Sequence, residues 1–481
     1  MKKTILILML LCAATITQAQ VGIGTTSPET TSILDLTSTT KGFLPPRMTS
    51  TQRDAIASPV AGLMIWCTET LELQVYNGTR WINSTGSGPS CILLGSDIDG
   101  EATGDRSGYS VSLSSDGSTV AIGAYYNDGS GSNAGQVRVY ENISGTWTQV
   151  GSDIDGEAAN DQSGKSVSLS SDGSIVAIGA EGNAGNGSYS GHVRIYKNIS
   201  GTWTQQGSDI DGEAVSDVSG SSVSLSSDGS VVAIGARGND GNGSSAGHVR
   251  IYKNISGTWT QVGSDIDGEA ASDNSGSSVS LSSDGSVVAI GALWNDGTAS
   301  DAGHVRVYKN ISGTWTQVGA DIDGEAAGDA SGRSVSLSSD GSTVAIGAYQ
   351  NDGNGTSAGH VRIYKNISGT WTQLGADIDG EKAGDAMGGL GSLSLNSDGS
   401  ILAIGVSTTE GNTGTNAGGV YIYQYISGTW TQIRSTIYGE AANDGSGSSV
   451  SLSSDGSTVA IGANGNDGNG SHAGHVRVYA K

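Results

Sequence analysis

The chain has 481 residues, with 77 glycines, a single phenylalanine, and a formal net charge of −24 from 47 acidic and 23 basic side chains. That balance leaves no basic stripe for nucleic acid and argues against anionic membrane surfaces as partners. Glycine and serine at this level would read as disorder, but they are regularly spaced, which points instead to a repeat architecture.

The opening MKKTILILMLLCAATITQAQ carries two lysines, an apolar run from Ile5 to Leu11, and small residues before Gln20. It reads as a secretory signal peptide over residues 1–19, cut after Ala19, so the mature chain is expected to be secreted or held at the outer cell surface. Cys12 raises a lipoprotein signal, but Leu11 occupies the place where a small residue is required. No later stretch is apolar and long enough to span a membrane. Removing the signal leaves Cys67 and Cys91, an even pair in an oxidising compartment, and a disulfide between them is expected. Residues 20–90 hold all five prolines and Phe43, and they are read as a small β-rich module with its linker.

From residue 91 to residue 481 the chain repeats. The segment DIDGE begins at Asp97, Asp153, Asp209, Asp265, Asp321 and Asp377, always 56 residues apart, and an altered copy, TIYGE, begins at Thr436. Each copy offers four short strands. In the first, SVSLS from Ser110 alternates strictly, Asp116-Gly117 makes a tight turn into TVAIGA, VRVY starts at Val137, and NISG turns into TWTQVG. Alternation places Val111, Leu113, Val120 and Ile122 on one face and Ser110, Ser112, Ala121 and Gly123 on the other, so a large face can pack on the small face of the next sheet. The last copy stops after its third strand, and CILLG from Cys91 stands where a fourth strand precedes every other copy. The expected fold is therefore all-β: a seven-bladed β-propeller of four-stranded repeats, its ring closed by an N-terminal strand.

The pattern SGxSVSLSSDGSxVAIGA resembles the FG-GAP repeat of integrin-α-type propellers, and VRVY after a glycine turn resembles WD-repeat propellers. The signature phenylalanine is Ser107 or Ser163 here, and the calcium loop of integrin blades is reduced to SSDGS, so calcium in that loop is not carried over. The stretch from VGIGTTSPETTSILDL to YNGTRWI resembles modules found in exported Bacteroidota and phage-tail-fibre-like proteins. That resemblance implies a β stalk assembling as a homotrimer.

Several repeated residues are candidates for chemistry. Asp97, Asp99, Asp153, Asp155, Asp209, Asp211, Asp265, Asp267, Asp321, Asp323, Asp377 and Asp379 offer carboxylates for a ligand or for Ca2+, although DxDGExxxD is not a standard calcium loop. Gly-Glu and a later aspartate (Asp105 in the first copy) persist in all seven copies and read as the fixed part of a loop between blades. Arg138, Arg194, Arg250, Arg306, Arg362 and Arg477 lie on the third strand, with Tyr421 in the sixth copy, and are expected to pair with the aspartates of their own blade. His192, His248, His304, His360 and His475 read as solvated strand ends, too far apart to share one ion. The tryptophans from Trp147 to Trp430 read as packing beneath a turn. No catalytic motif stands out, and no metal or other cofactor is expected. The favoured function is a non-catalytic binding or adhesion module for a glycan or extracellular protein, using its equivalent blades together. The alternatives are a polysaccharide-active enzyme sited near the irregular sixth copy, around Lys382, Met387 and Glu410, and a structural spacer of a surface appendage.

Overall fold

The computed structural model describes residues 21–481 apart from 24, 28–31, 33, 85–87, 411–412 and 481. The expected signal peptide lies outside the described residues. The chain divides into two units, residues 1–84 and 85–481.

In the first unit, Val21–Ile23 and Leu34–Leu36 form a parallel pair. A four-stranded sheet follows, made of Arg47–Met48, Met64–Cys67, Glu72–Tyr76 and Trp81–Asn83. The helix Ser50–Asp54 is short because it begins at a Thr49/Gln52 capping box and ends within two turns. Its Arg53 is buried, donating to Gln74 and pairing with Asp54 at 2.9 Å. Ile65, Cys67 and Trp81 form the small core.

The second unit contains seven five-stranded sheets among the described residues. Strict alternation gives each blade its pleat: Val120 stands opposite Leu113 and Ile122 opposite Val111. The turn between them is set by Asp116, whose Oδ1 accepts from Ser114 Oγ at 2.7 Å and from the Ser118 amide at 2.9 Å, with Gly117 at φ 72. The expected single fourth strand is two pieces. Thr146–Gln149 pairs with the far half of the third strand and Ile154–Asp155 with its near half, because Gly151 takes φ 76 and bends the chain between them.

Large faces pack on small ones. Ala121, Val137, Val139 and Ile154 of the first blade cover Val167, Leu169, Val176 and Ile178 of the second, and each such buried aliphatic contributes about 1.5–3 kcal/mol. Gly123 permits the close approach, since a Cβ there would collide with the Gly164 carbonyl and Ser110 Oγ. Near the first hairpins, backbone amides bond from blade to blade in one circuit: Ser115 to Ser171, then Ser227, Ser283, Ser339, Ser397, Ser454, and from Ser454 back to Ser115. Ile92 and Leu93 pair with Ala480 and Tyr479, and Ile98 and Asp99 with Val476 and His475, so the last sheet takes its outer strands from the start of the propeller. No helix among the described residues is long and apolar enough to cross a membrane.

Candidate functional site

Residues from all seven blades line one cavity of about 410 Å³, which places it on the axis of the ring. That size suits a small ligand. The residue that follows the Ser-Gly pair before each first strand faces it. These residues are Tyr109, Lys165, Ser221, Ser277, Arg333 and Ser448, while the sixth blade inserts Gly389, Leu390 and Gly391. A second position, just after the second strand, adds Tyr125, Glu181, Arg237 and Tyr349 around them.

The blades are nearly identical elsewhere, but at these two positions they carry different charges. Lys165 Nζ meets Glu181 Oε1 at 3.0 Å, and Arg237 Nη2 meets Glu181 Oε2 at 3.3 Å. Lys165 also sits 4.7 Å from the Tyr109 ring centre and 4.5 Å from that of Tyr125. Burial pulls the Lys165 ammonium down, but Tyr109 and Glu181 outweigh it and hold it above its ordinary range. Arg333 lies 5.7 Å over Tyr349 and has no ion pair among the described residues. Burial lowers its guanidinium from the ordinary value. Lys165 and Arg237 thus share one carboxylate, and the third cation, Arg333, has none among the described residues. Sequence reasoning missed this cluster, although its signal was present: it occupies the variable position of SGx. Lys382 and Glu410 do not line the cavity, and Met387 is buried in the core beside the sixth blade.

At the rim, the arginines turn away from the aspartates of their own blade. Strand register sets Asp265 opposite Arg250, yet Arg250 Nη1 lies 3.5 Å from Glu213 and Nη2 donates to the Asp211 carbonyl at 2.7 Å. Asp211 ends the last strand of the preceding blade and Glu213 stands in the loop that leaves it. Arg138, Arg194, Arg306 and Arg362 repeat this with Glu101, Glu157, Glu269 and Glu325. Each guanidinium also stacks over the tyrosine two residues on, as Arg250 does over Tyr252. This stacking and the nearby carbonyl direct the side chain across the blade boundary. Only Arg477 meets an aspartate of its own blade, Asp97, at 3.0 Å, and it also meets Glu440 at 2.7 Å. There Tyr438 replaces the aspartate that supplies the carbonyl in the other loops.

The histidines are buried, not solvated. Each joins a Glu of the preceding loop and the first Asp of its own blade: Glu157, His192, Asp209; Glu213, His248, Asp265; Glu269, His304, Asp321; Glu325, His360, Asp377; and Glu440, His475, Asp97. Burial lowers their pKa, with the neighbouring arginine adding to the effect in His192, His248, His304 and His360, and His304 falls to about 4. The second aspartates are placed differently. Asp99, Asp155, Asp211, Asp267, Asp323 and Asp379 pair in register with the first residue of the third strand, and burial raises Asp155 and Asp323.

Residues 97–140 match the family model described as FG-GAP repeat, and residues 22–100 match that of the phage tail like trimerisation region. The FG-GAP match falls on one repeat, whose sequence pattern the others share. Kuenenia stuttgartiensis hydrazine synthase is similar in fold, with a TM-score of 0.52 at 14% identity over 81% of this chain and 97% of that one. The periplasmic gluconolactonase of Pseudomonas aeruginosa gives a TM-score of 0.48 at 14% identity, over 77% of this chain and 92% of that one. A comparison with curated proteins finds no significant match.

Within the blades the aspartate four residues after the Glu of DIDGE is structural. Asp105 is buried, accepts from the Ala102 amide at 2.9 Å and from Asn127 at 3.0 Å, and so braces the passage into the next blade. Six of the seven blades are also tied at the outer edge: Trp203 Nε1 donates to the Val150 carbonyl of the preceding blade at 2.8 Å, and Trp147, Trp259, Trp315, Trp371 and Trp430 do the same. The expected disulfide is not formed. Cys67 is fully buried in the core of the first unit with Ser50 Oγ 3.4 Å away, while Cys91 packs against the propeller's own core.

Proposed function

We propose that this protein is an exported, non-catalytic binding propeller that takes an acidic sugar, carboxylated or sulfated, in its axial cavity. The observation that carries this reading is Arg333. On a chain of net charge −24, the near-identical repeats diverge at the axis toward cations, and one of these has no carboxylate partner among the described residues. An anionic group in the cavity would supply that partner as a charge-assisted hydrogen bond, with Ser221, Ser277 and Ser448 offering hydroxyls to the sugar.

The N-terminal module would bring three copies together. Its match to a trimerisation region is supported by exposed apolar side chains at Val21, Ile23, Leu34, Leu36, Phe43 and Leu44. Three axial sites on one stalk would gain avidity for a repetitive polysaccharide. Screening the full chain on an array of neutral and acidic glycans tests the reading. Binding confined to acidic glycans and weakened by salt supports it, while a preference for neutral glycans, or no glycan binding at all, counts against it.

A further inference from the structure

We propose that five of the seven blade boundaries each bind a divalent first-row transition ion of the zinc type. The ligands would be one histidine and two carboxylates, drawn from both sides of the boundary.

The triad at His304 shows the construction. His304 Nδ1 faces Glu269 Oε2 and Asp321 Oδ2, both at 3.8 Å. That is too far for a hydrogen bond, yet the three ligand atoms all lie within 4.8 Å of one another, which leaves a point about 2.1–2.5 Å from each, close to zinc–nitrogen and zinc–oxygen bonding distances. The other oxygen of each carboxylate is already held. Glu269 Oε1 lies 3.5 Å from Arg306 Nη1, and Asp321 Oδ1 accepts from Gln317 at 2.6 Å. These partners aim the remaining oxygens at the imidazole, as outer-shell groups do around metals. His304 is 1% exposed, and its Nε2 has no hydrogen-bond partner.

The same arrangement recurs. His248 Nδ1 stands 3.9 Å from Glu213 Oε2 and 3.8 Å from Asp265 Oδ2, with Gln261 on Asp265 Oδ1 at 2.6 Å. His360 and His192 have Gln373 and Gln205 in that role, and at His475 Arg477 holds both Asp97 and Glu440.

The first blade supplies an internal comparison. Gln136 replaces the histidine there, and its Nε2 donates directly to Glu101 Oε2 at 3.1 Å. An amide closes the gap, whereas every histidine stands off from it. In the sixth blade Gly419 removes the ligand altogether. One nitrogen and two oxygens select a borderline ion over calcium, which takes six to eight oxygens.

The full chain, stripped with chelator and titrated with zinc chloride by calorimetry, is expected to take up five ions and to melt at a higher temperature when loaded. His304→Gln imports the residue the first blade already carries, so it is expected to fold and to take up one ion fewer. Changing all five histidines to glutamine should abolish uptake, while the axial variant R333S should leave it at five, which separates this proposal from the glycan reading. No zinc uptake by the intact chain, or uptake that His304→Gln leaves unchanged, overturns the proposal.

Discussion

Replacing Arg333 with serine, the residue at the same position in three other blades, separates two consequences of one unpaired charge. Binding should fall. A hydrogen bond to a charged group contributes about 1.5–3 kcal/mol, so the affinity for an acidic disaccharide should drop by about 10–150-fold. Stability should rise. The substitution forfeits the stacking of Arg333 over Tyr349 at 5.7 Å, worth about 0.5–2 kcal/mol, but relieves a half-buried cation that has no ion pair among the described residues, whose desolvation penalty is about 2–3 kcal/mol, less than that of a fully buried ion. The net gain is about 1 kcal/mol. Lys165→Ser provides the contrast, since it leaves Glu181, 6% exposed, with Arg237 alone, and should cost about 1–2 kcal/mol. Calorimetric titration with the disaccharide and scanning calorimetry of the unliganded variants read both effects. An R333S chain that melts below the parent would refute the claim of an uncompensated charge. Unchanged affinity would refute its part in binding.

Gly123→Ala drives a Cβ into the Gly164 carbonyl and Ser110 Oγ, so the first two blades must separate; a loss of about 2–4 kcal/mol in denaturant melts is expected, at the severe end for single substitutions. Trp203→Phe keeps a six-membered ring but removes the pyrrole with its donor to Val150 O and part of its packing, and should cost about 1–3 kcal/mol by the same measurement. In the hairpin turns, burial raises Asp116, Asp172, Asp228, Asp284, Asp340 and Asp455, but bonds from the flanking serines outweigh it and hold each carboxyl below its ordinary value. Their stabilisation is complete above the unfolded-state value near 3.9 and is lost as pH falls through the lower folded value, so thermal stability should decline steeply below about pH 4. Sedimentation of the whole chain should give a trimer, and Ile23→Glu with Leu36→Glu should shift it to monomer while leaving the propeller's melt unchanged.

The 56-residue period, the alternation within each strand, the Asp-Gly turns and the missing last strand could all be read along the chain. Each is a local pattern or a fixed interval, and backbone pairing follows directly from such patterns. The bracing role of Asp105 and its counterparts was legible too, because every copy keeps an aspartate there. What the chain order did not show was who meets whom across a blade boundary. Arg250 and Asp265 are neighbours by register, and register alone could not reveal that Tyr252 and the Asp211 carbonyl draw the guanidinium to the other side. Nor could it show that His304 is buried between two carboxylates, since Glu269 and Asp321 come from loops on opposite sides of it.

The axial cluster shows the same division most plainly. Tyr109, Lys165 and Arg333 stand one to four repeats apart in sequence, each an apparent exception in an otherwise uniform motif. The sequence alone determined that these positions vary. Only closure of the ring brings them around one cavity, because a propeller points the same position of every blade at the same axis, and there their charges must be balanced together.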